Sequence, residues 1–432
     1  MELHIEHLAK IEKADIRLNG ITVIAGENNT GKSTVGKALF AVINSLSGIQ
    51  GKIEQERQQS LNKVEQAYSV FSGKDLKDTI IIHEECTDND KTVKRLLEYL
   101  KRISNLNNSP KSQSANKSCE KKDFQDLNIQ DTEEINRILQ KLEGILNVPD
   151  EKIEKELVTR YFSEVFHKQI NCLYEKDIEA KVEISDELKK INVSFVNNKC
   201  ISCKNIVPFE QKVIYIDNPF VTDNLRSGNS NSIMEDFIKT LLVRKQGNVS
   251  AMTEDIVESV MNQEKMNEIF SLMNNIIEGD IIESISHELL IQQKGIQEPL
   301  HIESLSAGVK SFALIKLLLE KVALQEGDIV VLDEPEIHLH PQWQMLYAEI
   351  IVLLQKKFNL KILVTTHSPY FLDAINLFSY KYEINERVKF YLAELDAATA
   401  TMEDVTGEIE QIYKKMATPI QELDTLRYEL QH

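Results

Sequence analysis

Residues 21–33 read Ile-Thr-Val-Ile-Ala-Gly-Glu-Asn-Asn-Thr-Gly-Lys-Ser, and they give the clearest indication of the fold. The apolar, partly β-branched residues 21–25 are typical of a buried parallel strand when turn residues follow them. Gly26–Ser33 matches the phosphate-loop pattern G-x-x-x-x-G-K-[ST], and a helix is predicted to begin near Lys32. A chance lysine in a glycine-containing turn would not supply strand, loop and helix in this order. The stretch therefore predicts a nucleoside triphosphate site in an α/β domain.

The phosphate loop works through its backbone and through two side chains. Its glycines let several N–H groups point at phosphate oxygens, and the helix N-terminus adds the positive end of a dipole. In such loops Lys32 reaches the β- and γ-phosphates, and Ser33 is a ligand of Mg²⁺. The residues predicted to bind ATP here are Gly26, Glu27, Asn28, Asn29, Thr30, Gly31, Lys32, Ser33 and Thr34.

A second pattern, residues 329–334, reads Ile-Val-Val-Leu-Asp-Glu and predicts a buried strand that ends in two carboxylates. Asp333 would hold Mg²⁺, and Glu334 would polarise the attacking water as a general base. A strand that ends in an ordinary acidic turn is the alternative. The phosphate loop elsewhere in the chain favours the metal and catalytic interpretation.

Two further segments contain residues that are typical of helix N-termini. Ser306 and Gly308, in Ser-Leu-Ser-Ala-Gly-Val-Lys-Ser, fit a helix N-terminus that can bind an anion, although Ser-x-Gly is also an ordinary cap. In Leu-Val-Thr-Thr-His-Ser-Pro a strand is predicted to end at His367, with Ser368 as the N-cap and Pro369 in the first helical turn. His367 could sense a γ-phosphate by hydrogen bonding, or it could be satisfied locally at the strand end.

In this order the four motifs resemble the ATPase heads of the ABC superfamily. Within it they are most similar to the SMC/RecF-like branch, especially the AAA-type ATPases of the OLD family. The resemblance covers roughly residues 1–45 and 295–395. It implies an α/β fold, a P-loop NTPase head of ABC type with a large, mainly helical insertion. It also implies ATP and Mg²⁺ as cofactors, with Ser33 and Asp333 at the metal and Glu334 and His367 as the catalytic base and the switch histidine.

The resemblance further implies an assembly of more than one subunit. Ser306 and Gly308 resemble the signature motif, which in this family contacts the γ-phosphate held by the opposite subunit. Residues 336–341 resemble the loop that crosses this interface. A homodimer or higher oligomer around ATP is therefore expected.

Two departures from the family pattern matter. We assign no residue to the glutamine that usually joins the head to its lever. OLD-family nucleases also carry a Toprim domain, which needs a Glu and a D-x-D pair, and no D-x-D occurs after residue 375. We therefore expect ATPase activity but no nuclease site in these residues.

Composition divides the chain into segments. We predict the N-terminal part of the head at 1–48, a mainly helical insertion at 49–190, strands and helices that complete the insertion at 191–294, and the rest of the head at 295–432. The polar stretch near 104–125 is predicted to be a mobile loop. Strands are predicted to return from about residue 181.

The charge balance bears on partners. The net charge of −18 disfavours binding of nucleic acid by the whole surface, because phosphate binding needs clustered Lys and Arg. Basic groups at 91–102 and 111–122 leave local contact with DNA open, although such runs are more often solvated faces.

The chain lacks an apolar run of the ~20 residues that span a bilayer, and residues 1–5 do not resemble a signal peptide. A cytoplasmic protein without a membrane partner is expected. The odd number of cysteines, 5, argues against a disulfide framework. Cys200 and Cys203 have metal-ligand spacing but lack a second such pair, so their role stays open.

Three hypotheses follow. The first is an ATP-driven switch that controls a separately encoded effector, a nuclease or toxin, in prokaryotic phage defence. The second is a RecF-like ATPase of DNA repair. The third, a subunit of an ABC transporter, is disfavoured by the large insertion and by the lack of a hydrophobic coupling partner.

Overall fold

The computed structural model describes residues 1–72, 140–172, 174, 177–187, 189–205, 211–225, 230, 232–243, 256–274, 276–283, 288–293, 295–321 and 323–431. The strands are β1 (Glu2–Leu8), β2 (Ile11–Arg17), β3 (Ile21–Gly26), β4 (Ala180–Asp186), β5 (Lys189–Val196), β6 (Lys199–Asn205), β7 (Val213–Ile216), β8 (Asp280–Glu283), β9 (Leu289–Gln292), β10 (Leu300–His301), β11 (Ile329–Asp333), β12 (Lys361–Thr366), β13 (Val388–Asp396) and β14 (Thr399–Asp404). The α-helices are α1 (Lys32–Leu46), α2 (Ile49–Ser72), α3 (Asp150–Val165), α4 (Ile233–Val243), α5 (Ile256–Met273), α6 (Ala307–Glu320), α7 (Pro341–Phe358), α8 (Pro369–Lys381) and α9 (Glu410–Gln431). The predicted loop near 104–125 and the basic groups at 91–102 and 111–122 lie outside the described residues.

One sheet of 11 strands organises the main part of the chain, in the order β6-β5-β4-β1-β2-β14-β13-β3-β12-β11-β7. Strands β13, β3, β12, β11 and β7 run parallel to their neighbours in that series, whereas β2, β1, β4, β5 and β6 pair antiparallel. Apolar β-branched runs such as β3 are buried along their whole length, as parallel strands between two layers must be. This confirms the predicted α/β fold class.

The register of the parallel strands sets where their ends meet. Asp333 pairs with Thr365, and Ala25 pairs with Thr366, so β3, β11 and β12 finish at one edge of the sheet. Parallel sheets bind ligands at this carboxyl edge because the loops that follow the strands converge there. Strand pairing therefore brings the phosphate loop, the Asp333 motif and the His367 motif to one edge.

Helices cover the parallel strands and form most of the core. Three buried aromatic rings join α6, α7 and α8. Phe312 packs edge-on against Tyr347 with ring centroids 5.2 Å apart, and Tyr347 lies 6.5 Å from Phe371. Serine side chains cap α6 and α8, since Ser306 accepts from the N–H of Val309 and Ser368 from that of Phe371.

The contacts divide the chain into two compact units, one formed by Gly48–Glu154 and the other by Met1–Ser47 with Lys155–His432. Within the smaller unit, the Arg57 guanidinium donates to backbone carbonyls, at 2.9 Å in the case of Leu146. Within the larger one, β4 and β5 belong to the main sheet because β4 pairs with β1.

These contacts differ from the predicted segments. The boundary drawn at residue 190 falls inside β5, and the segment 191–294 includes β7, which pairs with β11 of the main sheet. Both segments therefore contribute to the sheet rather than to the insertion alone. Among the described helices, none combines the length and apolar character needed to cross a bilayer.

Candidate functional site

The phosphate loop has the backbone shape that its glycines predict. Gly31 has φ of 77°, a left-handed conformation that glycine adopts without strain, and it stands at the N-cap of α1. At Gly26 a Cβ atom would come within 2.6 Å of the Ala393 carbonyl oxygen, so a side chain would force β3 and β13 apart. Residues 27–29 between them are exposed, and the loop is open to a ligand.

Hydrogen bonds of Thr30 and Asn29 help to fix the shape of the loop. Thr30 is buried, and its hydroxyl donates to the Glu27 carbonyl at 2.8 Å. Lys10, at the turn after β1, donates to the Asn29 side chain at 2.5 Å. Asn28 is exposed, and the Thr34 N–H donates to the Gly31 carbonyl at 3.0 Å inside the first turn of α1.

Lys32 lies beneath this loop with only 3% of its surface exposed. Its Nζ donates to the carbonyls of Gly26 at 3.0 Å and Glu27 at 2.7 Å, and it lies 3.6 Å from Oε1 of Glu334. Burial lowers the pKa of Lys32, and the charge of Glu334 opposes that shift. The arrangement holds a cation where the loop's N–H groups can share a phosphate with it.

Three hydroxyl groups hold the carboxylate of Asp333. Ser33 donates to Oδ1 at 2.9 Å and Thr365 donates to the same oxygen at 2.5 Å. Tyr215, in β7, donates to Oδ2 at 2.5 Å. Burial, and then the charge of Asp333, raise the pKa of Tyr215 well above its usual range, so the phenol keeps its proton. The Asp333 carboxylate is therefore fixed on both oxygens.

Ser33 and Asp333 together suit a magnesium ion. Their oxygens are adjacent, and hard oxygen ligands from one carboxylate and one hydroxyl match the preference of Mg²⁺ for a few protein ligands beside phosphate and water. The donor set of this pair therefore fits the cation that the phosphate loop implies.

Glu334 occupies a left-handed backbone position with φ of 49° immediately after β11. Its N–H donates to the carbonyl of Thr365 at 3.1 Å and to the hydroxyl of Thr365 at 3.0 Å, which fixes this turn to the end of β12. Its carboxylate has Lys32 on one side and, at 3.6 Å, Nδ1 of His367 on the other. A non-glycine residue in this conformation is a recurrent feature of active sites.

His367 lies between two carboxylates. Its Nδ1 is 3.6 Å from Glu334 and also 3.6 Å from Oε1 of Glu336. That oxygen of Glu336 accepts from the Thr366 hydroxyl at 2.5 Å and from the His367 N–H at 3.0 Å. The histidine is 43% exposed, so its ring contacts these carboxylates and is also accessible to a ligand.

Glu336 is a site residue that the sequence did not indicate beyond its place in the loop 336–341, which follows β11. Only 2% of its surface is exposed, and its Oε2 has no hydrogen-bond partner among the residues that the structure describes. Burial raises the pKa of Glu336. The signal in the sequence was its spacing after Asp333, which does not by itself indicate that the side chain turns inward.

The signature-like residues lie at the start of α6. Gly308 has no space for a side chain, because a Cβ atom would come within 3.0 Å of the His338 carbonyl and of the Trp343 ring. Across the described residues, neither Ser306 nor Gly308 is hydrogen-bonded to Gly26–Ser33. Among the described residues, one chain therefore assembles the loop and both carboxylates without a hydrogen bond from the signature-like residues to the loop.

Cys200 and Cys203, whose spacing is that of metal ligands, lie in β6. Cys200 is buried in β6 and its Sγ donates to the Ser202 carbonyl at 3.4 Å. Within the residues that the structure describes, no three His, Cys, Asp or Glu side chains come close enough together to hold a metal ion.

The fold and the site define a P-loop nucleotide-binding protein of the ATPase type. The chain belongs to the AAA ATPase domain family, whose pattern it matches over residues 1–372. This confirms the prediction of an AAA-type ATPase.

Two curated relatives share parts of the chain. One is the Septu protein PtuA of Bacillus thuringiensis, 30% identical over 119 residues, which are 24% of this chain and 28% of that protein. The other is the retron Ec83 probable ATPase of Escherichia coli, 27% identical over 172 residues, 36% of this chain and 30% of that protein. The matches thus span less than a third of the length of either relative.

Solved structures of SMC heads also align with the chain. The SMC head bound to the C-winged helix domain of ScpA is 12% identical, with a TM-score of 0.45 and coverage of 95% of this chain and 98% of that one. The SMC head domain from Thermotoga maritima is 10% identical, with a TM-score of 0.37 and coverage of 94% and 98%.

Proposed function

We propose that this chain binds and hydrolyses ATP, closes into a dimer around the nucleotide, and thereby switches a separate effector. The observation that carries the proposal is the division of the site. Lys32, Asp333 and Glu334 meet at one edge of the sheet, while Ser306 and Gly308 lie at the start of α6 and form no hydrogen bond to Gly26–Ser33 among the described residues. A second copy of the chain would bring its α6 N-terminus to the nucleotide held by the first.

Within one subunit, the side chains divide the chemistry. Ser33 and Asp333 would hold Mg²⁺, which neutralises charge on the phosphate oxygens when it is bound. Lys32 would donate to the terminal phosphates. Glu334 would orient a water and accept its proton, with His367 beside it as a donor to the γ-phosphate.

The interface loop supports the dimer. Residues 336–341 follow β11, and within them Glu336 and Leu339 are buried while Ile337 is 54% exposed. An exposed apolar side chain beside the catalytic carboxylate suits a surface that is covered only when two heads close. The signature-like Ser306 N-cap supplies the anion site that this closure would use.

The relatives support a role in defence through a partner. One is named as a Septu protein and the other as a probable ATPase of a retron. We therefore propose a cytoplasmic switch whose partner is a separately encoded nuclease or toxin. ATP binding by the switch would control the activity of this effector.

Glu334→Gln tests the dimer. Removing the general base should leave ATP binding intact and slow hydrolysis by at least about 100-fold, so that ATP accumulates at the interface. Analytical ultracentrifugation with ATP and Mg²⁺ should show a dimer for this variant, and a monomer with ADP. Glu2→Gln, which changes an exposed carboxylate of β1, is the matched control and should behave as wild type.

A second variant separates binding from closure. Adding Ser306→Arg to Glu334→Gln should abolish the dimer while ATP still binds to each subunit. A monomer for Glu334→Gln at saturating ATP would rule out the proposed switch.

A further inference from the structure

Tyr215 is a fully buried tyrosine in β7, the strand at the edge of the main sheet. Strand pairing places it opposite Val331 of β11, two positions before Asp333 (333 − 331 = 2). Side chains two apart on a strand share a face, so the Tyr215 ring and the Asp333 carboxylate lie on the same side of the sheet. Its hydroxyl donates to Oδ2 of Asp333 at 2.5 Å.

Helix α1 closes over this ring. At Gly36 a Cβ atom would come within 2.6 Å of Cγ1 of Val331 and within 3.1 Å of Cε2 of Tyr215. Phe40, one turn later, packs edge-on against the tyrosine ring with centroids 6.3 Å apart. The ring therefore packs against α1 at a position where any side chain larger than that of glycine at residue 36 would clash with it.

The two oxygens of Asp333 are held by different parts of the chain. Oδ1 accepts from Ser33, which belongs to the phosphate loop, and from Thr365 of β12. Oδ2 accepts from Tyr215, which lies outside the four sequence motifs. A carboxylate held at one oxygen alone can rotate about its last torsion, whereas donors at both oxygens fix its plane.

We propose that Tyr215 is a positioning residue for the metal carboxylate, because its hydroxyl holds Oδ2 and thereby keeps Oδ1 beside Ser33. The inference rests on the proposed assignment of Mg²⁺ to Ser33 and Asp333. Residues that hydrogen-bond to metal ligands commonly change metal affinity by 10–100-fold when they are removed. Tyr215→Phe removes one oxygen and keeps the ring in place.

The experiment measures metal and nucleotide separately on the full chain. Mn²⁺ binding is followed by electron paramagnetic resonance in the presence of a β,γ-imido ATP analogue, and binding of the same analogue is measured in EDTA by calorimetry. Tyr215→Phe should weaken Mn²⁺ binding about tenfold and change metal-free nucleotide binding less than about twofold.

Three variants make the result specific. Tyr347→Phe removes the hydroxyl of another buried tyrosine, packed against Phe312 and Phe371, and should bind Mn²⁺ as wild type does. Gly36→Ala crowds the ring while keeping the hydroxyl, and should weaken Mn²⁺ binding in the same direction even if Tyr215→Phe fails to fold. Asp333→Asn should lose Mn²⁺ binding to a greater extent than either.

The outcomes separate the inference from the assignment beneath it. Unchanged Mn²⁺ binding in Tyr215→Phe, or an equal loss of metal-free nucleotide binding, would overturn the positioning role. If Asp333→Asn binds Mn²⁺ as wild type does, the metal assignment is wrong and the inference fails with it.

Discussion

The two halves of the main sheet are buried differently. In the parallel half, β3 and β7 are buried at every position, and β12 at every position after the first. In the antiparallel half, β1 and β4 alternate between buried and accessible side chains. One half is covered on both faces, and the other keeps one face toward water.

This difference in burial indicates which role to expect for a polar side chain in each half. In the parallel half the charged groups stand at strand ends, where Asp333 and Lys32 are enclosed by hydrogen bonds. In the antiparallel half, pairs such as Lys190 with Glu183 at 2.6 Å and Lys181 with Glu6 at 3.8 Å lie along the accessible face. We expect function from the first group and solvation from the second.

The largest expected effect is on ligand binding at the parallel edge. Lys32→Met removes a cation that would donate to two phosphates, and charge-assisted hydrogen bonds contribute about 1.5–3 kcal/mol each. ATP affinity should therefore fall at least about 100-fold, as measured by calorimetry. Lys190→Met, the same change on the accessible face, should bind ATP with wild-type affinity. Equal losses in the two variants would contradict the division between the halves.

A smaller effect concerns stability. Asn44 of α1 is 3% exposed, and its amide covers both backbone groups of Val213 on the edge strand β7, donating to the carbonyl at 2.7 Å and accepting from the N–H at 3.0 Å. Asn44→Ala would leave both groups buried and unpaired. The free energy of unfolding should fall by about 2–3 kcal/mol, measured from urea midpoints.

The matched change in the antiparallel half is Asn192→Ala. Asn192 donates to Glu183 at 2.9 Å on the accessible face, where water can replace the lost bond. Its cost should be below about 1 kcal/mol. A loss as large as that for Asn44→Ala would mean that the accessible face contributes to the core.

The same contrast explains what the sequence could predict. The loop Gly26–Ser33 was predictable because strand, turn and helix start are contiguous and each leaves a local pattern. The apolar strand that ends in Asp333 was predictable for the same reason. Both motifs belong to the parallel half, whose long apolar runs are conspicuous.

Long-range pairing accounts for the rest. Tyr215 lies in an apolar run and gives no local sign of chemistry, and it meets Asp333 only because β7 pairs with β11 in one register. Strands were predicted from about residue 181, but their place in the main sheet depends on β4 pairing with β1 from the other end of the chain. A local pattern carries no information on either partner.

The smallest expected effect is a pH dependence in the antiparallel half. Lys190 donates to Glu183 and, together with Asn192, lowers the pKa of that carboxyl below its ordinary value of 4.5. A lowered pKa in the folded state stabilises the protein above the unfolded pKa, and this contribution is lost as the pH falls through the folded value. Because the pair is partly exposed, Lys190→Met should cost at most about 0.5–1 kcal/mol near neutral pH.

The difference between Lys190→Met and wild type should shrink as the pH is lowered from about 7 toward 4 and below, since the carboxylate then takes up its proton in both proteins. Urea midpoints across that range measure it, and added salt should reduce it further at neutral pH. A difference that stayed constant on acidification would show that Lys190 acts through packing of its alkyl chain rather than through the charge of Glu183. The accessible face would then resemble the enclosed half of the sheet more closely than its alternating burial implies.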